Sequence, residues 1–296
     1  MSRELHVYSN PTIDVIGGGA RAGGPGLYAA LAARILGFEA RVYGAIGGDG
    51  AWVLEEYTKR GARIGSVQMH LDDKTTRMRI EYRGPGRLIL VEELGPLINT
   101  IPARSPRMVS PVIGEFEANL LHVLARGAFV DVQGVVRVRK RGLLELTHNP
   151  ICARLLEDAK LVHGDARELG ACTNSSSIPE MLEKLVTVSY KVSIVLSLGY
   201  RGALYLENGE VYHIPAWGPE TTDPTGMGDV MLASMVYLNA YEGLSLLDAV
   251  RVATVVCGLH AEKRYEPIEP SKLEKLAPAH RRVDVAEAKQ IINEQA

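Results

Sequence analysis

The chain has 296 residues, 46% of them hydrophobic, and a formal net charge of -2. That length sustains one large core, and the near-neutral balance gives no electrostatic case for nucleic acid or a membrane surface as partner. No apolar run nears the roughly 18 residues that cross a bilayer, the first residues lack a signal-peptide core, and three scattered cysteines without a C-x-x-C suggest neither a disulfide framework nor a zinc knuckle, so a reducing cytoplasm is the expected compartment.

In chain order, residues 5–9 read as an opening strand that stops at Asn10-Pro11, and 12–16 as a second strand stopped by Gly17-Gly18-Gly19. A strong helix is expected over 25–36, where Leu27, Leu31 and Ile35 share a face and Gly37 closes it. A buried-type strand over 40–46 breaks at Gly47-Gly48-Asp49-Gly50, a segment read as turn-forming, and a helix over 52–60 follows. From Thr75 the texture changes. Thr76, Met78, Ile80 and Tyr82 alternate with Arg77, Arg79, Glu81 and Arg83, which marks a strand with one covered face. The Gly84-Pro85-Gly86 turn returns the chain over 87–91, so this hairpin reads as a lid inserted into an α/β chain.

After the lid, strands are expected over 108–113, 129–132, 161–163 and 193–198, and helices over 115–126 and 179–188. Asn208-Gly209 turns a hairpin of strands 203–206 and 210–214. Helices over 246–263 and 285–294 close the chain. Such alternation predicts an α/β fold: a central, mostly parallel sheet with helices on both faces and a small β-sheet lid. The whole chain reads as a single domain, 1–296, with 12–22 and 74–93 as lid elements. Ligands of such sheets sit beyond the carboxyl ends of the strands, where the glycine-rich breaks would gather.

The most informative segment is Asp223-Pro224-Thr225-Gly226-Met227-Gly228-Asp229, a glycine-rich turn that runs into the apolar helix starting near Val230. A helix N-terminus offers unpaired N–H groups and partial positive charge, and glycines let main-chain amides approach a ligand. Asp229 then stands beside the bound anion as a proton acceptor, which is what phosphoryl transfer to a hydroxyl requires. The same residues also read as an ordinary turn with Thr225 as N-cap and Asp229 favoured by the helix dipole. Competing signatures are missing: no G-x-x-x-x-G-K-[ST], no G-x-G-x-x-G, no G-x-S-x-G and no H-E-x-x-H. The eight histidines are scattered and read as structural or exposed.

The segment resembles the D-T-x-G-A-G-D signature of the ribokinase-like (PfkB) kinases of sugars and nucleosides, with Pro224 and Met227 as departures. Asp131-Val-Gln133-Gly-Val-Val-Arg137, the D-P-T-G form and the stretch 110–115 are most similar to its myo-inositol kinases. The resemblance implies ATP-dependent transfer of the γ-phosphoryl group to an alcohol, with Mg²⁺. It casts Asp229 as the base and the amides of Gly226, Met227 and Gly228 as the anion hole. Asn10, Asp14, Gly23, Gly24, Gln133 and Arg137 would hold the acceptor. Asp165, Ser197, Gly199, Gly202 and Thr225 would contact the nucleotide, and Glu168 would organise the metal in Asp165-Ala-Arg-Glu168, the place of the family's N-x-x-E. The expected acceptor is a sugar or cyclic polyol, myo-inositol favoured. A nucleoside or 2-keto-3-deoxygluconate kinase and a catalytically idle binding protein are the alternatives; the oligomeric state stays open, with a homodimer paired through the lid as one option.

Overall fold

The computed structural model describes residues 3–83, 86–221 and 223–293, with the side chain of residue 83 left aside. In chain order the elements are β1 (Glu4–Tyr8), β2 (Thr12–Ile16), β3 (Gly19–Gly23), α1 (Pro25–Leu36), β4 (Glu39–Gly47), α2 (Ala51–Lys59), β5 (Arg63–His70), β6 (Arg77–Arg83), β7 (Gly86–Glu93) and β8 (Arg107–Val109). Next come α3 (Ala118–Ala125), β9 (Phe129–Asp131), α4 (Gln133–Val136), β10 (Gly142–Leu143), α5 (Ile151–Asp158), β11 (Leu161–Asp165), α6 (Ala166–Cys172), α7 (Ile178–Val188) and β12 (Ser193–Ser197). The last are β13 (Ala203–Glu207), β14 (Glu210–Ile214), α8 (Met227–Tyr241), α9 (Leu246–Ala261), α10 (Pro270–Leu276), β15 (Arg281–Val283) and α11 (Val285–Asn293).

The large sheet runs β15-β14-β13-β12-β11-β9-β8-β1-β4-β5. From β12 to β5 every pairing is parallel, and β13 to β15 add an antiparallel flank. Successive strand residues feed opposite faces, as a period of two demands. Val7, Leu161 and Val195 join the core under α1, α8 and α9, whereas Tyr8, Val162 and Ile194 join the core under α3, α5, α6, α7 and α11. Parallel strands buried on both sides explain the β-branched run of β12, and the doubly covered sheet with a small second sheet is the fold class expected from the sequence.

The second sheet runs β10-β7-β6-β2-β3 and carries its own apolar cluster of Met78, Ile80, Ile89 and Val91 against Val112 and Ile113. The stretch 12–22, read as a lid element with one strand over 12–16, holds a second strand, β3. Gly17 and Gly18 have φ of +59° and +82° and form the two-residue turn between Ile16 and Gly19. They therefore cap the lid hairpin and do not join the glycines at the large sheet's edge. The Gly84-Pro85 turn lies outside the described residues.

Other boundaries shift for identifiable reasons. The strand expected over 108–113 ends at Val109, and the helix expected from 115 starts at Ala118. Between them the buried Glu115 side chain accepts the amides of Asn10, Val112 and Ile113, so the chain is folded around that side chain there. Strands β5, β10 and β15 and helices α5 and α10 gave no clear sequence signal. Cys152 of α5 and Cys172 of α6 form a disulfide, Cα atoms 5.5 Å apart, which corrects the expectation of unpaired cysteines. Among the described residues no helix is long and apolar enough to cross a membrane.

Candidate active site

The carboxyl ends of the parallel strands supply the polar groups. Asn10 follows β1, Ser110 follows β8, Asp131 ends β9, Asp165 ends β11 and Ser197 ends β12. Asp165 and Ser197 are register partners on neighbouring strands. Helix α8 packs across this edge with its N-terminus at Gly226, whose φ of +77° is left-handed. A Cβ at Gly226 would lie 2.1 Å from the Tyr28 ring, so both backbone and packing demand glycine. Likewise, a Cβ at Gly228 would stand 3.0 Å from His163.

No side chain caps α8. The Thr225 hydroxyl meets Tyr82 instead, so the N-cap role read as its ordinary alternative falls to Gly226. The Met227 amide donates to the Pro224 carbonyl at 3.2 Å. The amides of Gly226 and Gly228 donate to no backbone carbonyl among the described residues. Two of the three expected anion-hole donors are therefore open, and the third is engaged in the turn.

Asp229, in the first turn of α8, is only 8% exposed. The Ser110 hydroxyl donates to its Oδ1 at 3.0 Å, and Gln133 Nε2 donates to the Ser110 hydroxyl at 3.3 Å. Burial, reinforced by the nearby Asp131 charge, pushes the Asp229 carboxyl up to about 7, against the pull of Ser110, His163 and Arg137. Asp131 is itself tied down: Oδ1 accepts the Gln133 amide and Oδ2 lies 2.8 Å from His163 Nδ1. Burial alone would lower the His163 pKa, but the Asp131 carboxylate outweighs it and the shift is upward. The sequence dismissed His163 with the other histidines; its place in the middle of buried strand β11, in register with Asp131 on β9, is what gives it a carboxylate partner. Ser110 was seen only as part of a resemblance.

Asp14 lies on β2, a strand of the lid sheet. It is 5% exposed, takes a 2.9 Å hydrogen bond from Thr12 Oγ1, and is held above the usual carboxylate range by burial. Gly23 on β3 makes room for it: a Cβ there would fall 2.1 Å from Asp14 Oδ2. Gly24, with φ of +98°, lets the chain pass under the Tyr57 hydroxyl and into α1. Burial raises the pKa of Tyr28 and Tyr57, and the charges of Asp14 and Asp229 add to it.

Not every expected residue points there. The Asn10 carboxamide is committed to the fold, its Oδ1 accepting the Ala45 amide and its Nδ2 donating to the Pro96 carbonyl. Arg137 is buried, donates to the Val112 carbonyl and reaches Glu168 at 3.4 Å. Glu168 and Asp165 form a reciprocal capping box at the start of α6. The Glu168 carboxyl is shifted upward by burial and by the Asp165 charge, with Arg137 opposing. Gly202, with φ of +93°, is required by the Ile214 carbonyl, 2.0 Å from where its Cβ would be. Ser197 Oγ lies 3.5 Å from the Gly164 carbonyl and Gly199 is left-handed, so that strand end stays polar and free of bulk. Asp49 accepts the amide and hydroxyl of Thr75, which suits the turn role read from sequence.

Among the described residues no group of three or more His, Cys, Asp or Glu side chains is arranged to hold a metal. The donor set nevertheless suits Mg²⁺, which keeps its waters and uses one or two carboxylates together with substrate phosphates. Glu168, the carboxylate cast for it, has one oxygen paired with Arg137 and the other accepting the Asp165 amide. An open recess of about 530 Å³ beside Glu4, His6, Arg41 and Tyr43 contains none of these residues.

Residues 145–266 match the family model described as pfkB family carbohydrate kinase. The fold is ribokinase-like. A pyrophosphate-dependent kinase in the ribokinase family, complexed with a pyrophosphate analog and myo-inositol, superposes with a TM-score of 0.72 at 19% identity over 91% of this chain and 99% of that one. Ribokinase of Arabidopsis thaliana complexed with ribose and ATP gives 0.68 at 16% identity over 93% and 99%. The bifunctional protein HldE of Halorhodospira halophila is 26% identical over 275 residues, 89% of this chain but 57% of its own length. The chain thus spans little more than half of that relative. The matched PfkB stretch contains Asp165, Glu168, Ser197, Gly199, Gly202 and the 223–229 turn; Asn10, Asp14, Gly23, Gly24, Gln133 and Arg137 lie before it.

Proposed function

We propose that this ribokinase-like chain is a phosphotransferase that moves the terminal phosphoryl group of ATP onto a hydroxyl of a sugar or cyclic polyol, with myo-inositol as the favoured acceptor. The observation that carries the reading is Asp229, buried, aimed by Ser110 and set at an uncapped helix N-terminus. The acceptor hydroxyl would give its proton to an Asp229 oxygen as the phosphoryl group arrives against the Gly226 and Gly228 amides. Asp14 and Gln133 would hold neighbouring hydroxyls, since a carboxylate accepts two and an amide donates. Mg²⁺, when bound, supplies charge neutralisation at the transferring phosphates, with Glu168 beside it. Closure by the lid excludes water, and β3 and β10, its outer strands, are the edges through which two copies would pair.

Pyrophosphate is the second donor reading, and it is favoured by the likeness to the pyrophosphate-dependent kinase. The test offers ATP-Mg²⁺ and pyrophosphate-Mg²⁺ to the purified chain with a panel of polyols, sugars, 2-keto-3-deoxygluconate and nucleosides, and follows phosphorylated product. Turnover with a polyol or sugar and ATP supports the proposal. Turnover only with nucleosides, or only with pyrophosphate, replaces the acceptor or the donor. No product with any pair leaves a binding protein on this scaffold.

A further inference from the structure

Asp223, the first residue of the glycine-rich turn, is held from the lid. Arg21 on β3 donates to its Oδ2 through Nη1 at 2.9 Å and to its Oδ1 through Nη2 at 3.4 Å. Tyr82 on β6 donates to Oδ1 at 2.8 Å and also meets the Thr225 hydroxyl, while the Thr225 amide closes on Oδ1 at 3.2 Å. Two lid strands thus converge on one carboxylate three residues before the Gly226 cap. Although burial opposes it, this convergence of Arg21, Thr225 and Tyr82 holds the Asp223 carboxyl well below the usual range. Arg21 is also the cross-strand partner of Asp14, so the two side chains stand on the same face of the lid. Its Nε is buried and has no hydrogen-bond partner among the described residues. A buried donor left open is costly unless a further acceptor arrives.

We propose that Arg21 is a positioning residue that couples the acceptor-bearing lid to the phosphate-cradling turn, seating Asp14 and ordering residues 223–228 through one guanidinium. An exposed ion pair contributes little, but a forked pair shared with a second donor is a geometric clamp, and Arg suits it where Lys does not. The kinetic consequence rests on the phosphotransferase reading; the clamp itself is a property of the ligand-free chain.

The test compares wild type, Arg21→Ala, Arg21→Lys, Asp223→Asn and Tyr82→Phe. Hydrogen exchange of the ligand-free proteins comes first. Arg21→Ala should raise exchange in β3, β6 and 223–228 together, by roughly ten- to hundredfold, with Arg21→Lys only partly restoring protection. In steady state Arg21→Ala should raise the acceptor KM and lower kcat, and Arg21→Ala with Asp223→Asn should be no worse than the poorer single variant. Exchange confined to β3, or independent multiplicative losses in the double variant, would overturn the coupling. Should Arg21→Ala not fold, Tyr82→Phe, which removes one hydroxyl, carries the same comparison. If wild type transfers no phosphoryl group, the function reading fails while the exchange result still decides the clamp.

Discussion

The Asp229 carboxylate can accept a proton only when ionised, and its surroundings decide when that is. Burial and Asp131 place its titration at about 7, near the pH where a base is most useful. We therefore expect kcat to rise as pH rises through about 7 and to level above it, a profile that a base with an ordinary carboxylate pKa would not give. Asp229→Asn should keep the fold and lose roughly 10²–10⁴-fold in kcat. The same burial costs stability. A carboxyl whose folded pKa is raised contributes stability that is present below its unfolded value and lost as pH climbs through its folded one. Wild type should accordingly weaken relative to Asp229→Asn between pH of about 4 and 7, and urea midpoints at several pH values would show it. The Gly-Met-Gly-Asp turn was legible because glycine and carboxylate spacing carries its own reason. His163 and Ser110 were not, since nothing local in the sequence says that strands β9 and β11 are neighbours or that β8 ends beneath α8. Arg137 was legible as a residue but not as a role: its buried pairing with Glu168 depends on α6 folding back to it.

At the scale of elements, a lid glycine makes room for a carboxylate on the neighbouring strand. Gly23 on β3 exists for the Asp14 carboxylate on β2. Gly23→Ala should turn that carboxylate away and lower kcat/KM for the acceptor by on the order of 10²-fold, chiefly through KM, and initial rates at varied acceptor would show it. A raised kcat with unchanged KM would speak against Asp14 as the acceptor's anchor. Within the 12–22 lid stretch, β3 was not read as a strand of its own, because its ends are glycines and its middle is Ala-Arg-Ala, with no β-branched signal. Strand β6, on the far side of β2 and with clear alternation, was read without difficulty. Helix α1 was equally plain, having proline at its start, glycine at its end and an apolar face between.

For the molecule as a whole, the alternation of strands and helices sufficed to give a doubly covered sheet, but not the order of its strands, which depends on contacts far apart in sequence. The pairing of Cys152 with Cys172 is of that kind. Without reductant, denatured protein should alkylate at one thiol, Cys257, and after reduction at three. Reduction should lower unfolding stability by about 3 kcal/mol for a loop of this span, read from urea midpoints. Three reactive thiols before reduction would show the pair to be open.

The lid sheet is stitched from separate stretches of chain: β2 and β3 before α1, β6 and β7 after β5, and β10 well beyond β9. It has no single pair of ends. Exchanging it for the lid of a relative, in order to redirect acceptor choice, would require three coordinated grafts at matched register. A transplant of 74–93 alone would place a foreign hairpin against a native β2 and leave Asp14 on the recipient's side of the seam.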